Sequence, residues 1–545
     1  MSSIRSSLAI ISAESSVSLD EAKAFEEAFW AMARGFPMVV DEVVCGGGVC
    51  GGLAPRQVYQ KQPSIKIVYH PAFRGVIINT PDFCDFPLHF YFLSPIPPAM
   101  TASVWIPRRA FLQKSTAATC AIATAPGLLR ASTAEQELHV AVVGVNGMGW
   151  SDLSQVGSHK KVKFVGFCDI DTNRFDQVDK NFPGVKHFAD YRLMLSELGD
   201  KVDAVIVSTP DHMHAPAAMM AMGMGKHIYC QKPLTHTVWE SRQMRLLAEK
   251  KNLTTQMGNQ IHSAKEYRLG VRLIHDGAIG KVKEVHSWVG VQGRQYCNRT
   301  DRPESASVPS NIQWDLWLGA APERPFAPEV YHPFKWRDWQ DFGSGAMGDF
   351  GCHILDPVFG ALLLTAPKSI VAENAGTSKE VWPGPETITY VFPGTKYTAG
   401  SEIQIVWRDG GLKPPRQLGQ LPEGVELPAG GSLFIGQAGT MVLPHVGMPT
   451  LYEANKPKTL SIPDINGTNH WHDWVDAVIA GKKTTDGFEY AGPLSETVQL
   501  GNIAARLPGK VLQWDAANLK IAGDPQAPAL LTKTYRKGFE VPAVS

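Results

Sequence analysis

The chain has 545 residues, and its 52 lysines and arginines balance 52 aspartates and glutamates to a formal net charge of zero. That balance lacks the basic excess of a nucleic-acid binder, and 44% hydrophobic with 19% charged residues is ordinary globular usage, not that of an acidic solvating chain. At roughly 100–200 residues per domain the length holds about two to four domains, and no apolar run reaches the ~18 residues of a membrane helix.

Residues 1–99 hold Gly-rich and Pro-rich patches with no clear period, which suggests little fold. Cys45 and Cys50 sit in CGGGVCGG, which reads as a flexible tract, not a metal site. From Pro107 to Ser132 the sequence is PRRAFLQKSTAATCAIATAPGLLRAS. Charged start, short apolar middle and small residues at the end are the layout of a bacterial signal peptide. The segment resembles a twin-arginine signal, with Arg108, Arg109, Phe111, Leu112 and Lys114 in order. Because such a signal acts at an N-terminus, the expectation is that translation starts at Met100. Residues 1–99 are then a mis-annotated extension, 100–131 the signal, and the mature chain a bacterial protein that is periplasmic or otherwise exported.

The mature chain begins with a β-branched strand, LHVAVVGV (138–145), then a glycine-rich turn and a helix-like stretch. Further strands follow at 162–168, 202–208 and 227–233, and in LTTQMGN, with helical spacing in WESRQMRLLAEKKN. Alternating strands and helices predict βαβ units on a parallel sheet over 132–260. After about residue 260 the rhythm changes. A helix (SAKEYRLGVRLIHDGAIG) leads to VKEVHSWVGV, and then to ETITYVFP, SEIQIVWR and SLFIGQAGTMVL. These predict a second domain on an antiparallel sheet over 261–515, closing on helices at HWHDWVDAVIAG and PLSETVQLGNIAARL and followed by a tail, 516–545.

The first turn reads Gly144-Val145-Asn146-Gly147-Met148-Gly149. The dinucleotide fingerprint is G-x-G-x-x-G between strand and helix. Gly144 permits the tight turn, the next positions bring backbone to the pyrophosphate, and Gly149 allows close packing of helix on strand. Asn146 stands where the second glycine belongs, with Gly147 one step later. Asp169 ends the second strand, where a carboxylate binds both ribose hydroxyls and repels a 2′-phosphate, which favours NAD over NADP. Arg174 nearby keeps NADP open.

Two further motifs carry chemistry. CQKPLTHT holds Gln231 and Lys232 before Pro233, and GSGAMGDFGCHILDP holds Asp349 and His353 four apart, on one face of a helix. An ammonium, a carboxylate and an imidazole suit proton transfer to or from a hydroxyl. With these residues the chain resembles the glucose–fructose oxidoreductase / inositol dehydrogenase / MocA (Gfo/Idh/MocA) family, from about residue 138 to about 515. The family's lysine usually sits in Glu-Lys-Pro; here the sequence is Gln231-Lys232-Pro233. Its D-x-x-x-H helix matches Asp349 and His353. STPDHMHA resembles its cofactor loop, which places Thr209, Pro210 and His212 beside the nucleotide. The resemblance implies an N-terminal Rossmann dinucleotide-binding domain, then an α+β domain with an open, mostly antiparallel sheet. It also implies homo-dimers or homo-tetramers, while the twin-arginine signal, whose route exports folded proteins, implies a tightly held NAD. In the mechanism the family resemblance implies, His353 takes the hydroxyl proton, Lys232 donates to the same oxygen and positions the nicotinamide, with Gln231 also on the cofactor, and Asp349 orients the substrate or the His353–Lys232 network.

Between 311 and 342 lie Trp314, Trp317, Trp336 and Trp339, with Tyr331, His332, Arg337 and Asp338. Aromatic faces with interleaved polar groups suit a sugar ring, and Trp314, Tyr331, Trp336 and Arg337 are the candidates to hold one. The same composition serves a loop packing its own aromatics. His470 and His472 lack a third clustered ligand in sequence and read as core or cap residues, so no metal is expected. The expected function is hydride transfer between a nicotinamide cofactor and a hydroxyl-bearing carbon of a sugar or polyol. The alternatives are an NAD-dependent glycoside hydrolase working by transient oxidation and elimination, and a non-catalytic sugar-binding protein on the same fold.

Overall fold

The computed structural model describes residues 137–544 apart from 291–295, 377 and 460–463, together with the backbone of five strands between residues 39 and 92. Those strands are β1 (Val39–Cys45), β2 (Gly48–Gly52), β3 (Ser64–His70), β4 (Gly75–Asn79) and β5 (Phe90–Phe92). They form a sheet of order β2-β1-β3-β4-β5 in the segment whose composition suggests little fold, within a unit, Met1–Pro126, distinct from Gly127–Ser545. The signal-like segment 107–132 lies outside the described residues.

In the second unit the expected α/β plus α+β architecture is present. Strands β6 (Leu138–Val143), β7 (Val162–Cys168), β8 (Lys186–Phe188), β9 (Ala204–Val207), β10 (His227–Gln231) and β11 (Thr255–Gly258) form a parallel sheet of order β11-β10-β9-β6-β7-β8. Helices α1 (Met148–Gly157), α2 (Phe175–Asn181), α3 (Tyr191–Leu198), α4 (His214–Gly223) and α5 (Val238–Lys250) make the crossovers. The alternation of side chains along a strand sends Val140, Val142, Ile206 and Tyr229 into one core, and Ala141, Val143, Val207 and Cys230 into the other. Both faces are therefore buried, which is why these strands read as continuous apolar runs. The strand order reverses between β6 and β9, the point at which such sheets bind ligands.

The second layer is built on a ten-stranded sheet. After α6 (Lys265–His275) it takes β12 (Val282–Trp288), β13 (Ser369–Asn374), β14 (Glu386–Pro393), β15 (Glu402–Arg408), β16 (Gly431–Gly436), β17 (Thr440–Pro444), β18 (Thr450–Glu453), β19 (Lys456–Pro457), β20 (Leu512–Asp515) and β21 (Lys520–Ala522). All neighbours are antiparallel except β12 and β15. The run SLFIGQAGTMVL is a hairpin of β16 and β17, not one strand, because Gly439 turns the chain at φ +132°.

Helix α7 (Trp314–Leu318) lies in the aromatic stretch, and α8 (Gly345–Leu362) carries Asp349 and His353. Of the closing helices, α9 (His470–Ala480) returns to the Rossmann sheet, where Trp474 and Val475 join the core beneath α1. The other, α10 (Phe488–Arg506), packs on α5, joined by Arg242 donating to both oxygens of Glu496 at 2.8 and 2.9 Å. The tail beyond 515 also folds back: Lys533 Nζ lies 3.0 Å from Glu240 Oε1, and Phe539 is buried.

Candidate active site

The nucleotide loop opens the cleft. Gly144 sits at φ +86°, and a Cβ there would lie 2.5 Å from the backbone oxygen of Ser208, at the end of β9. A Cβ on Gly149 would lie 2.1 Å from Gly144 O, so these two glycines let α1 and β9 close on the turn. Gly147 is the residue before α1, at φ 60° and ψ −119°, a conformation that glycine alone adopts readily. The glycine displaced from the fingerprint's second place thus stands where the backbone needs it. Asn146, with an ordinary backbone, lines the cleft beside Gly147 and Met148.

Asp169 lies at the head of the next turn. Its Oδ2 accepts from Val145 N–H and its Oδ1 from Asp171 N–H, both at 3.1 Å, leaving each oxygen a lone pair toward the cleft. Burial pushes its pKa up, against those two backbone bonds. Arg174 is tied to Asp171, Nε to Oδ2 at 2.8 Å, and His332 Nε2 lies 3.1 Å from the same oxygen. The guanidinium is therefore committed to a neighbour. Thr209 and Pro210 also line the cleft, and the buried Thr209 hydroxyl has no partner among the described residues. Such an orphan, with the glycine cradle and the free lone pairs of Asp169, fits a dinucleotide. Removing a carboxylate that accepts charge-assisted bonds costs about 1.5–3 kcal/mol. Asp169→Ser should therefore weaken NAD binding about 10–100-fold without gaining NADP. Titration calorimetry with both cofactors reads this.

Lys232 follows β10 on the far side of the cleft. Its ammonium donates to both Asp349 O and Asp349 Oδ1 at 2.7 Å. Tyr296 donates its hydroxyl to Asp349 Oδ2, and Arg337 Nε lies 3.6 Å from Oδ1. Burial alone would raise the Asp349 carboxyl, but Lys232 and then Arg337 hold it well below the usual carboxylate range. Gln231 donates its amide nitrogen to both oxygens of buried Asp152 of α1, at 2.8 and 3.1 Å, and its Oε1 accepts the Lys232 backbone N–H at 3.2 Å, so it does not meet the ammonium. The acidic partner of Lys232 thus comes from α8 and not from its sequence neighbour.

His353 lies one turn along α8 and is buried against Asn259. The Asn259 amide donates to Cys352 O at 3.2 Å, which turns its Oδ1 to the imidazole. That oxygen accepts Nδ1–H, leaving Nε2 as the acceptor nitrogen. Burial and then the Lys232 charge hold His353 well below its ordinary pKa, so it is neutral.

Asp211, inside the STPDHMHA stretch, also lines the cleft. Burial pushes its pKa up to about 7, against a Ser344 hydrogen bond and the charges of Arg337 and Lys232. The folded chain keeps this proton between roughly pH 4 and 7, where an unfolded aspartate has lost it. Asp211 therefore makes stability fall as pH rises through that window. Asp211→Asn should flatten this decline, read as melting temperature against pH.

The cleft encloses about 360 Å³. Sequence expectation and structure part at four residues. Trp314 and Tyr331 do not reach the cleft. Trp314 stacks on Trp317 at 4.7 Å and donates Nε1–H to Arg324 O, while Tyr331 packs among Trp314, Trp339 and Phe342 in an aromatic core. Only Trp336 and Arg337 of the proposed sugar-binding set line the cleft, the guanidinium 4.3 Å from the indole centroid. His212 is also removed. Its ring nitrogens face Trp317 O at 3.0 Å and Phe342 O at 3.3 Å, and burial, then Lys533, pushes its pKa down to about 3. It ties the cofactor loop to the aromatic core. His353 adjoins the site through α8 without lining the described cleft. His470 is a core residue, its Nε2 3.1 Å from Met257 O, and His472 lies on the surface with Nε2 2.8 Å from Ser158 Oγ. Residues the sequence did not single out are Asp211, Tyr296, Ser344 and the tail's Phe539, which lines the cleft.

A six-stranded parallel sheet with this loop and this acid defines a nicotinamide-dinucleotide-binding Rossmann domain. Two family models match in succession: the oxidoreductase family's NAD-binding Rossmann fold at residues 138–259, and its C-terminal alpha/beta domain at residues 271–381. Residues 138–381 thus carry the two domains of the Gfo/Idh/MocA oxidoreductase family. The chain is similar to levoglucosan dehydrogenase of Pseudarthrobacter phenanthrenivorans, 26% identical over 31% of this chain and 34% of that one. It is also similar to glucose-6-phosphate 3-dehydrogenase of Bacillus subtilis, 25% identical over 40% of this chain and 52% of that one. A glycosyl hydrolase family 109 protein of Shewanella putrefaciens is 29% identical over 27% of this chain and 33% of that one. The matches thus span a third to a half of the length of these curated relatives.

Proposed function

We propose that the chain is an NAD-dependent dehydrogenase of a sugar or polyol hydroxyl. The observation that carries this reading is the Lys232–Asp349 pair on the same cleft as the nucleotide loop and Asp169. Bound NAD⁺ supplies the hydride acceptor. Asp349 and its own backbone carbonyl fix the Lys232 ammonium, which donates to the substrate oxygen and favours the alkoxide character that develops there. Nε2 of His353, held as an acceptor by Asn259, takes the hydroxyl proton. Trp336 and Arg337 offer an apolar face and a donor fork to a sugar ring.

The test is to purify the chain without added cofactor, denature it, and assay the supernatant for nicotinamide nucleotides. The intact protein is then screened against aldoses and polyols for NADH. Nucleotide together with substrate-dependent NADH is the expected result. Free sugar released from a glycoside with no net NADH would replace this reading with transient oxidation and elimination. Sugar binding with neither nucleotide nor turnover would leave a binding protein.

Export by the twin-arginine route is part of the same proposal, supported by the order of charged, apolar and small residues between Pro107 and Ser132. A tightly held cofactor suits a compartment with little free NAD. Fusing residues 100–131 to a reporter active only after folded export tests it, with an Arg108→Lys, Arg109→Lys variant expected to stay inside. A homo-dimer or homo-tetramer is likewise proposed, and light scattering of the purified chain decides it.

A further inference from the structure

Away from the cleft, Asp486 is 1% exposed, and neither of its carboxylate oxygens meets a hydrogen-bond donor. A buried carboxylate without a partner is costly, and such a group in a folded chain calls for a bound water or ion. Its oxygens point toward His262 and Asp356: one ligand atom from each of the three residues lies within 4.8 Å of the others.

The existing hydrogen bonds do not serve Asp486. His262 Nδ1 lies 2.8 Å from Asp356 Oδ1, and its Nε2 lies 3.1 Å from Thr485 Oγ1. Even a doubly protonated imidazole therefore spends both N–H groups elsewhere. Protonating Asp486 would remove its charge but leave the new hydroxyl without an acceptor. With Nε2–H given to Thr485 and a cation in place of the Nδ1 proton, Nδ1 and the two carboxylates converge on one point. We propose that His262, Asp356 and Asp486 bind one divalent cation of the zinc or manganese class.

The donor set decides the class. One imidazole nitrogen and two carboxylates suit a borderline transition ion, whereas calcium takes six to eight oxygens and magnesium keeps an octahedral, mostly aqueous shell. Supporting contacts are in place: Thr485 at the far side of His262, and Tyr490 donating its hydroxyl to Asp356 Oδ1 at 2.9 Å. Such outer partners orient ligands in metal sites. The His262 side chain is 18% exposed, which gives an ion a way in.

The site would join the turn after β11, helix α8 and the segment before α10. His262 is three residues beyond Asn259, and Asp356 three beyond His353, so a cation here would brace the Asn259–His353 contact from one turn away. Its role is positioning, and it does not depend on which substrate the cleft takes.

The full chain, stripped with a chelator, is dialysed separately against Zn²⁺, Mn²⁺, Mg²⁺ and Ca²⁺, and its metal content and melting temperature are measured. One equivalent of Zn²⁺ or Mn²⁺ per chain is expected, with a raised melting temperature and no comparable effect of Mg²⁺ or Ca²⁺. Asp486→Asn and, separately, His262→Gln should each weaken binding at least 10-fold and abolish the thermal shift. No binding by the wild-type chain overturns the proposal. So does binding of equal stoichiometry and affinity in either variant, since the ion would then sit elsewhere. Should one variant fail to fold, the other decides.

Discussion

Lys232→Ala should lower kcat by about 10²–10⁴-fold, the range that a positioned proton-transfer group contributes. The substitution removes the only side chain that reaches both the backbone oxygen and a carboxylate oxygen of Asp349 among the described hydrogen bonds. It also removes the positive charge next to the substrate oxygen, where charge develops as hydride leaves. Cofactor retention should barely change, because the glycine turn and Asp169 lie on the other strands of the switch point. The split is therefore diagnostic: kcat collapses while nucleotide content per chain stays that of the wild type. The substitution also releases His353 from the charge that holds its pKa down, so the residual activity should shift its pH dependence upward. Near-normal turnover on a true substrate would remove Lys232 from the mechanism. Loss of nucleotide together with activity would make it a cofactor ligand first.

Most of the Rossmann half was legible because its signals are local. The second strand's expected range, 162–168, coincides with β7, and the other apolar runs lie within a few residues of their strands. A strand buried on both faces has no alternation to misread, and a glycine turn followed by an acid at the next strand end is a short-range pattern. β8 escaped because it is three residues long at the sheet edge, with none of its side chains fully buried. The site itself depends on long-range pairing. Lys232 and Asp349 are 117 residues apart, and the loss of acid at position 231 gave no hint that Asp349 would serve instead. Tyr296, which completes the Asp349 shell, stands in a stretch with no periodicity. The aromatic segment shows the limit most plainly. Trp314 and Trp336 share the same polar and aromatic context in sequence and the same aromatic core, yet only Trp336 also walls the cleft. Composition marks a stretch that buries aromatics; only the tertiary fold decides which faces remain open.

Gly149→Ala should cost the chain its cofactor and part of its fold, through a single methyl group. The added Cβ would stand 2.1 Å from Gly144 O and 2.7 Å from Gly144 C, both backbone atoms with no rotamer to yield. Either α1 moves off the strand or the turn at Gly144 shifts, and that turn is itself closely packed, since a Cβ on Gly144 would lie 2.5 Å from the Ser208 oxygen. Overpacking of this kind costs about 1–3 kcal/mol, occasionally more, which at this size lowers the melting temperature by about 1–4 °C. The displacement also carries Asp152 with α1. Its carboxylate receives Ser208 Oγ, Tyr229 OH, Gln231 Nε2 and Trp471 Nε1, so the strand that leads into Lys232 loses its anchor as well. Gly184→Ala is the control, since a Cβ there meets nothing within 4 Å although its φ of +82° imposes a backbone cost. That variant should lose a little stability and keep its nucleotide. A Gly149→Ala chain that purifies with stoichiometric NAD would mean that α1 does not depend on the close approach, and that the fingerprint's last glycine is dispensable here.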